Sequence, residues 1–176
     1  MKNIVLIGMS GVGKSEKGMY IAKKLGWDFV DTDDLIVEKE KITIDDIFLN
    51  YGEEYFRNVE SQITENVSKL ENTVISCGGG IVICQDNIDC LRRNGYIFLF
   101  LGKIQTIVDN LNKSSVVRPL LKDSLDLYDQ VERLFKSREK LYLLSSDIII
   151  NIDDKNMMEI YKEVLLEYKK LDKIYN

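Results

Sequence analysis

Short apolar runs alternate along this chain with longer segments in which apolar residues recur every three or four positions. The runs Ile4-Val5-Leu6-Ile7, Val74-Ile75, Tyr96 to Leu101 and Ile148-Ile149-Ile150 carry no polar alternation. That is the pattern of strands covered on both faces, as in a parallel sheet. A weaker run, Trp27, Phe29 and Val30, ends in the carboxylates of Asp31, Asp33 and Asp34. The intervening segments have helical spacing. Residues 17–25 place Met19, Ile21, Ala22 and Leu25 among lysines, and Gly26 follows as a C-terminal stop. A short helix is expected over 35–39. Thr43-Ile44-Asp45-Asp46 reads as a capping box, with Ile44, Ile47 and Phe48 behind it and an interruption at Gly52. Phe56, Val59, Ile63 and Val67 form one stripe of a helix over 53–70. Further helices are expected over 85–94 with a stop at Gly95, over 104–111, over 124–144 and over 157–171, with a frayed end. Strands alternating with helices predict an α/β fold, a three-layer α/β/α sandwich around a five-stranded parallel sheet with right-handed crossovers. No repeat or linker divides the sequence, so residues 1–176 are expected to form a single domain.

Composition narrows the function more than the fold. The formal net charge is −5, which disfavours nucleic acid and membrane surfaces as partners. No apolar run approaches the ~20 residues of a membrane span. The chain enters a strand at its first residues, so no secretory leader is expected. Cys77, Cys84 and Cys90 are odd in number and lack metal-ligand spacing, so free thiols and a cytoplasmic location are expected. With no strongly apolar surface stripe left over, a monomer is expected. There is no histidine; proton transfer would fall to Asp, Glu or Lys.

The chemistry starts where the first run breaks. Gly8-Met9-Ser10-Gly11-Val12-Gly13-Lys14-Ser15 matches G-x-x-x-x-G-K-[ST], between a strand and a helix, the setting of a phosphate-binding loop. Backbone N–H groups of Gly11, Val12 and Gly13 can cradle a triphosphate at the helix N-terminus. Lys14 can reach the β/γ-phosphates, and the Ser15 hydroxyl can ligate Mg²⁺. Asp31 and Asp33 fall at the carboxyl end of the next strand, where ligands of open parallel sheets bind. Their spacing lets both carboxylates point the same way from an extended segment, one near a metal and one near an acceptor hydroxyl. A helix-capping acidic turn is the alternative. Gly78-Gly79-Gly80 closes the third strand and suggests close approach of backbone to a ligand, or else a flexible connector. Ser76 could support a metal through water. Residues 112–123 form a polar loop that contains Arg118 and the only proline, Pro119, long enough for a lid. Lysine outnumbers arginine, yet Arg57, Arg118 and Arg138 occupy these chemically suggestive settings, and arginine suits bidentate grip on carboxylate or phosphate.

Taken in order, Gly8 to Ser15, Asp31-Thr32-Asp33, Gly52-Glu53, Phe56-Arg57, Glu60, Gly78-Gly79-Gly80, Arg118-Pro119-Leu120-Leu121, Arg138 and Leu141-Tyr142 resemble the shikimate kinase family over nearly the whole chain. The resemblance implies transfer of the ATP γ-phosphoryl group to the 3-hydroxyl of shikimate, a step toward chorismate and the aromatic amino acids. It implies a P-loop fold of the nucleoside-monophosphate-kinase type, with a mobile lid over 112–123 and a shikimate-binding region over about 33–60. It implies that Asp33 holds the acceptor hydroxyls and takes the proton, and that Arg57 and Arg138 clamp the carboxylate. Gly78, Gly79 and Gly80 would line the substrate, and Lys14 and Arg118 would neutralise phosphate charge. Ser15 would ligate Mg²⁺, with Asp31 close by. Two positions depart from the family pattern, both toward the nucleotide: Leu111 replaces an arginine, and Asp153-Asp154-Lys155-Asn156 lacks a proline. A kinase of another polyhydroxy acid such as gluconate, and a nucleotide-binding module without catalysis, are the competing expectations.

Overall fold

The structure is a computed structural model and describes residues 2–113 and 127–175. Strand β1 (Asn3–Ile7) leads through the glycine-rich loop into α1 (Lys14–Leu25), then β2 (Asp28–Asp31), α2 (Thr32–Glu40) and α3 (Ile44–Val67). Strand β3 (Thr73–Ser76) follows, then a 3-10 turn (Ile81–Ile83), α4 (Gln85–Arg93), β4 (Gly95–Leu101) and α5 (Ile104–Lys113). The chain ends with α6 (Leu127–Ser145), β5 (Ile148–Asn151) and α7 (Met157–Tyr175). All strand pairings are parallel, in the order β2-β3-β1-β4-β5. β1 and β4 therefore lie inside the sheet, as their unbroken apolar runs require.

Successive side chains point to opposite faces of a strand, so each central run supplies two cores. Val5, Ile7, Ile97 and Leu99 join the cluster that holds Ile36, Ile47, Phe56, Val131 and Tyr142. Ile4, Leu6, Phe98 and Phe100 join the cluster under α1 and α7, with Ile21, Ile160 and Val164. Helices thus cover both faces, the expected three-layer α/β/α arrangement. At one edge of the second core Trp27 and Tyr96 each pack edge-on to Tyr168, with centroids 5.6 and 5.5 Å away.

Several boundaries differ from the sequence expectation. The helix expected from 35 begins at Thr32, because the Asp31 side chain accepts from Asp33 N at 3.0 Å and caps it. Asp33 is therefore in a first helical turn and not in an extended segment. The Thr43 capping box forms, with Asp46 N donating to Thr43 Oγ1 at 3.1 Å. The interruption expected at Gly52 is present: at φ 81 and ψ 174 it leaves helical geometry, and α3 is two helical segments joined there at a kink. Gly95 opens β4 and pairs with Asn3 instead of merely stopping a helix. The last helix runs on to Tyr175 with no fray at 171. Residues 114–126, which hold Arg118, most of the expected lid and the expected start of α6, lie outside the described residues.

Candidate active site

The carboxyl ends of β1, β2 and β3 open into a cleft of about 1350 Å³. At one end lies the phosphate loop. Gly8 sits at φ 140, and a Cβ there would stand 2.5 Å from the Phe100 carbonyl, so only glycine allows the chain to leave β1 along this path. Val12 is fully buried and anchors the loop in the core under α1. Gly13 caps α1 without a side-chain acceptor, which leaves the first N–H groups for an anion. The Lys14 amine donates back to Gly8 O at 2.9 Å and Met9 O at 3.0 Å, so its charge lies over the loop it serves. A second amine, Lys17, donates to Val12 O at 3.2 Å, and burial pushes its pKa down. Its position carries no motif signal, and sequence reasoning passed over it.

Helix α5 braces this loop from outside. Asn110 Nδ2 donates to Gly11 O at 2.9 Å, and a Cβ on Gly11 would meet Leu111 Cγ at 2.7 Å. Leu111, a departure from the family pattern, thus packs on the phosphate loop itself. The proline-free segment 153–156 is held by caps. Asp153 Oδ1 accepts from Thr106 Oγ1 at 2.7 Å, and Asn156 N donates to Glu159 Oε2 at 2.7 Å in a capping box that opens α7.

Between the cleft's two ends stand Ser15, Asp31 and Ser76. Ser15 Oγ donates to Asp31 Oδ2 at 2.6 Å. Asp31 pairs in register with Ser76, whose buried hydroxyl has no hydrogen-bond partner among the described residues. One residue on, the fully buried Thr32 accepts from Gly78 N at 3.0 Å through its hydroxyl. Asp33 lies against the same glycine, where an added Cβ would come 2.5 Å from its Oδ1. Burial, and then the Asp31 charge, raise the pKa of neighbouring Asp34.

The far end is built around Gly79 and Gly80. A Cβ on Gly80 would stand 2.6 Å from Arg57 Nη2, so the guanidinium lies directly on this glycine. Arg57 donates to Glu53 Oε1 and Glu60 Oε2, each at 2.9 Å. Burial opposes its charge, but Glu60 and Glu53 outweigh that and raise its pKa. Glu60 is 1% exposed and its second oxygen is unpartnered among the described residues. Burial pushes its pKa up, against the pull of Arg57 and Arg138. From α6, Arg138 Nη1 donates to Gly79 O at 3.3 Å and Tyr142 OH to the same oxygen at 2.5 Å. Burial pushes the Tyr142 phenol up to about 12. The predicted residues Asp33, Arg57, Gly78, Gly79, Gly80 and Arg138 therefore meet in one place. Lys14 lies at the other end of the cleft, and Ser15 and Asp31 pair between the two. Arg118 lies outside the described residues. The Cys77 thiol is fully buried beneath the site and its pKa is raised by that burial.

A phosphate loop facing an arginine-lined anion pocket across one cleft is the layout of a kinase for a small acid. A sequence profile described as shikimate kinase matches residues 10–169. The chain belongs to the shikimate kinase family. Shikimate kinase of Caldicellulosiruptor saccharolyticus is 44% identical over 153 residues, covering 87% of each chain. The solved shikimate kinase from Acinetobacter baumannii in complex with shikimate superposes with a TM-score of 0.88 at 25% identity, over 97% of this chain and 94% of that one. A gluconokinase from Sinorhizobium meliloti 1021 reaches a TM-score of 0.59 at 18% identity, over 99% of this chain and 95% of that one, and shares the fold alone. The chain is thus an ATP-dependent phosphotransferase of the shikimate kinase family, with that family's P-loop fold.

Proposed function

We propose that this cleft phosphorylates the 3-hydroxyl of shikimate with ATP, in a single kinase domain whose acceptor region spans about 33–60. The observation that carries the reading is the convergence of Arg57 from α3 and Arg138 from α6 on the Gly79-Gly80 backbone, across the cleft from Lys14. Two forked cations suit a carboxylate better than a neutral sugar. Asp33, against Gly78, orients the hydroxyl and accepts its proton. Transfer through a loose transition state demands alignment and cations more than a strong base. Lys14 swings from its loop carbonyls to the phosphates, and Arg118 joins it from the lid over 112–123.

The donors between the two ends fit Mg²⁺. Ser15 and Asp31 are 2.6 Å apart, and the orphaned Ser76 hydroxyl lies in register with Asp31. No group of three or more acidic, Cys or His ligands exists among the described residues, so a cation here draws its other ligands from water and phosphate. When bound, Mg²⁺ neutralises charge on the phosphate oxygens. No described helix is long and apolar enough to cross a membrane. We place the enzyme in the cytoplasm, a reading supported by the free cysteines among its described residues, and take it to act as a monomer.

The test is ADP release by the purified protein with Mg²⁺–ATP, alone, with shikimate and with gluconate. Release dependent on shikimate and absent with gluconate is expected. Stimulation by gluconate, or none by shikimate while ATP still binds, overturns the acceptor assignment.

A further inference from the structure

Tyr142 is the largest fully buried side chain among the described residues, yet its hydroxyl does not serve the core. It reaches from α6 to the Gly79 carbonyl, 2.5 Å away, in a strand-to-turn segment of another layer. That carbonyl has a second donor, Arg138 Nη1, at the longer distance of 3.3 Å. The chain contains no cis peptide among its described residues. In a trans peptide the carbonyl of one residue and the N–H of the next point in opposite directions. Fixing Gly79 O toward α6 therefore turns Gly80 N–H away from the phenol. Both glycines line the cleft, and the Arg57 guanidinium lies against Gly80.

The two donors are unequal. A short bond from a buried phenol satisfies the carbonyl by itself. The guanidinium, which also interacts with the phenol, can then exchange its long bond to Gly79 for a carboxylate without leaving a buried oxygen unpaired. Without the hydroxyl, Arg138 would be the carbonyl's remaining donor and would be held back by it. Loss of the phenol oxygen therefore weakens acceptor binding by two routes: a looser Gly79-Gly80 peptide and a retained arginine.

We propose that Tyr142 is a positioning residue for the acceptor, holding the Gly79 carbonyl so that Gly80 N–H faces the cleft and Arg138 is released to the acceptor carboxylate. The proposal rests on the acceptor lying beside Gly79, and the test separates the two. Tyr142→Phe removes one oxygen and keeps the core volume. Wild type, Tyr142→Phe and Arg138→Lys are compared by steady-state kinetics with each substrate varied in turn. Calorimetric titration with shikimate gives Kd for the folded fraction alone, so partial unfolding does not imitate weak binding.

Tyr142→Phe is expected to raise the shikimate Kd and KM about tenfold, the effect of one hydrogen bond lost at a buried acceptor, while the KM for ATP stays within twofold. A shikimate Kd unchanged in Tyr142→Phe but raised in Arg138→Lys overturns the role given to Tyr142 and keeps the acceptor placement. A Kd unchanged in both variants overturns the placement as well. Loss of thermal stability with both KM values raised alike reduces Tyr142 to a packing residue and also overturns the proposal.

Discussion

Adding one methyl group at Gly80 tests the acceptor end with little disturbance elsewhere. Gly80 sits at φ −96 and ψ −2, which any L-residue adopts, so Gly80→Ala introduces no backbone strain. Its Cβ would fall closest to Arg57 Nη1, then 2.6 Å from Nη2 and 2.8 Å from Cζ, against 3.4 Å for an ordinary contact. The guanidinium must retreat by about 1 Å to relieve the closest of these contacts. It is tied to Glu53 and Glu60 at 2.9 Å each, so the whole fork moves or a pair breaks. Displacement of a positioning group by about 1 Å costs up to about a hundredfold in rate. The expectation is a 10- to 100-fold fall in kcat/KM for shikimate, about 1.4 to 2.7 kcal/mol. If the fork moves intact, Tm stays within about 3 °C; if the buried Arg57–Glu60 pair breaks, stability falls by about 3–5 kcal/mol. The assay is coupled ADP release with shikimate varied at saturating ATP, then the reverse, beside a calorimetric scan. A shikimate kcat/KM within twofold of wild type would refute the contact between Arg57 and the acceptor. So would an equal loss read against ATP.

Three further outcomes follow from the geometry. Asp33→Asn keeps the shape beside Gly78 but removes the proton acceptor, so kcat should fall by about 10²-fold or more while the calorimetric ATP Kd stays within a few-fold; undiminished turnover refutes the assignment. Glu60 has its pKa raised above the ordinary 4.5, chiefly by burial, so its contribution to stability is whole below about pH 4.5 and is lost as pH rises through the folded value. Glu60→Gln should therefore flatten the decline of unfolding free energy above pH 4.5, read from urea titrations between about pH 4 and 7, and equal slopes in both proteins refute it. Gly52→Ala meets open space but forces a side chain into φ 81, ψ 174, so it should cost about 1–3 kcal/mol, visible as a lowered Tm, and an unchanged Tm would remove the kink from α3.

The sheet was legible because its strands are nearly pure apolar runs, and both cores follow from alternation within β1 and β4. The phosphate loop and the glycine turn were legible because each needs a residue type with few other uses at a strand end. The start of α2 was misjudged for a local reason: the Asp31 carboxylate serves Asp33 N and Ser15 Oγ together, so a cap and a ligand position occupy one residue. Spacing alone divides those roles and sets the helix too late. Tyr142 was legible only within the Leu141-Tyr142 part of the resemblance, since by spacing a tyrosine on an apolar helical stripe reads as packing. Its contact with Gly79 spans 63 residues, and no local pattern carries that. Lys17 was hidden among the lysines of α1, although its bond to Val12 O spans only five residues.

Thr32 has a consequence of its own. The ladder between β2 and β3 ends at Asp31 and Ser76, and the next residue already turns into a helix. Its hydroxyl nevertheless takes the bond from Gly78 N, standing in for the carbonyl that a longer strand would have offered. One extra rung is thereby added by a side chain. It ties the acidic corner to the glycine corner, so thermal breathing at the end of the sheet carries the two together. A hydroxyl held between Asp33 and Gly78 would then lie against two corners fastened by one short, buried link rather than against two independent loops. The shape of the acceptor corner is thus kept by a single threonine oxygen.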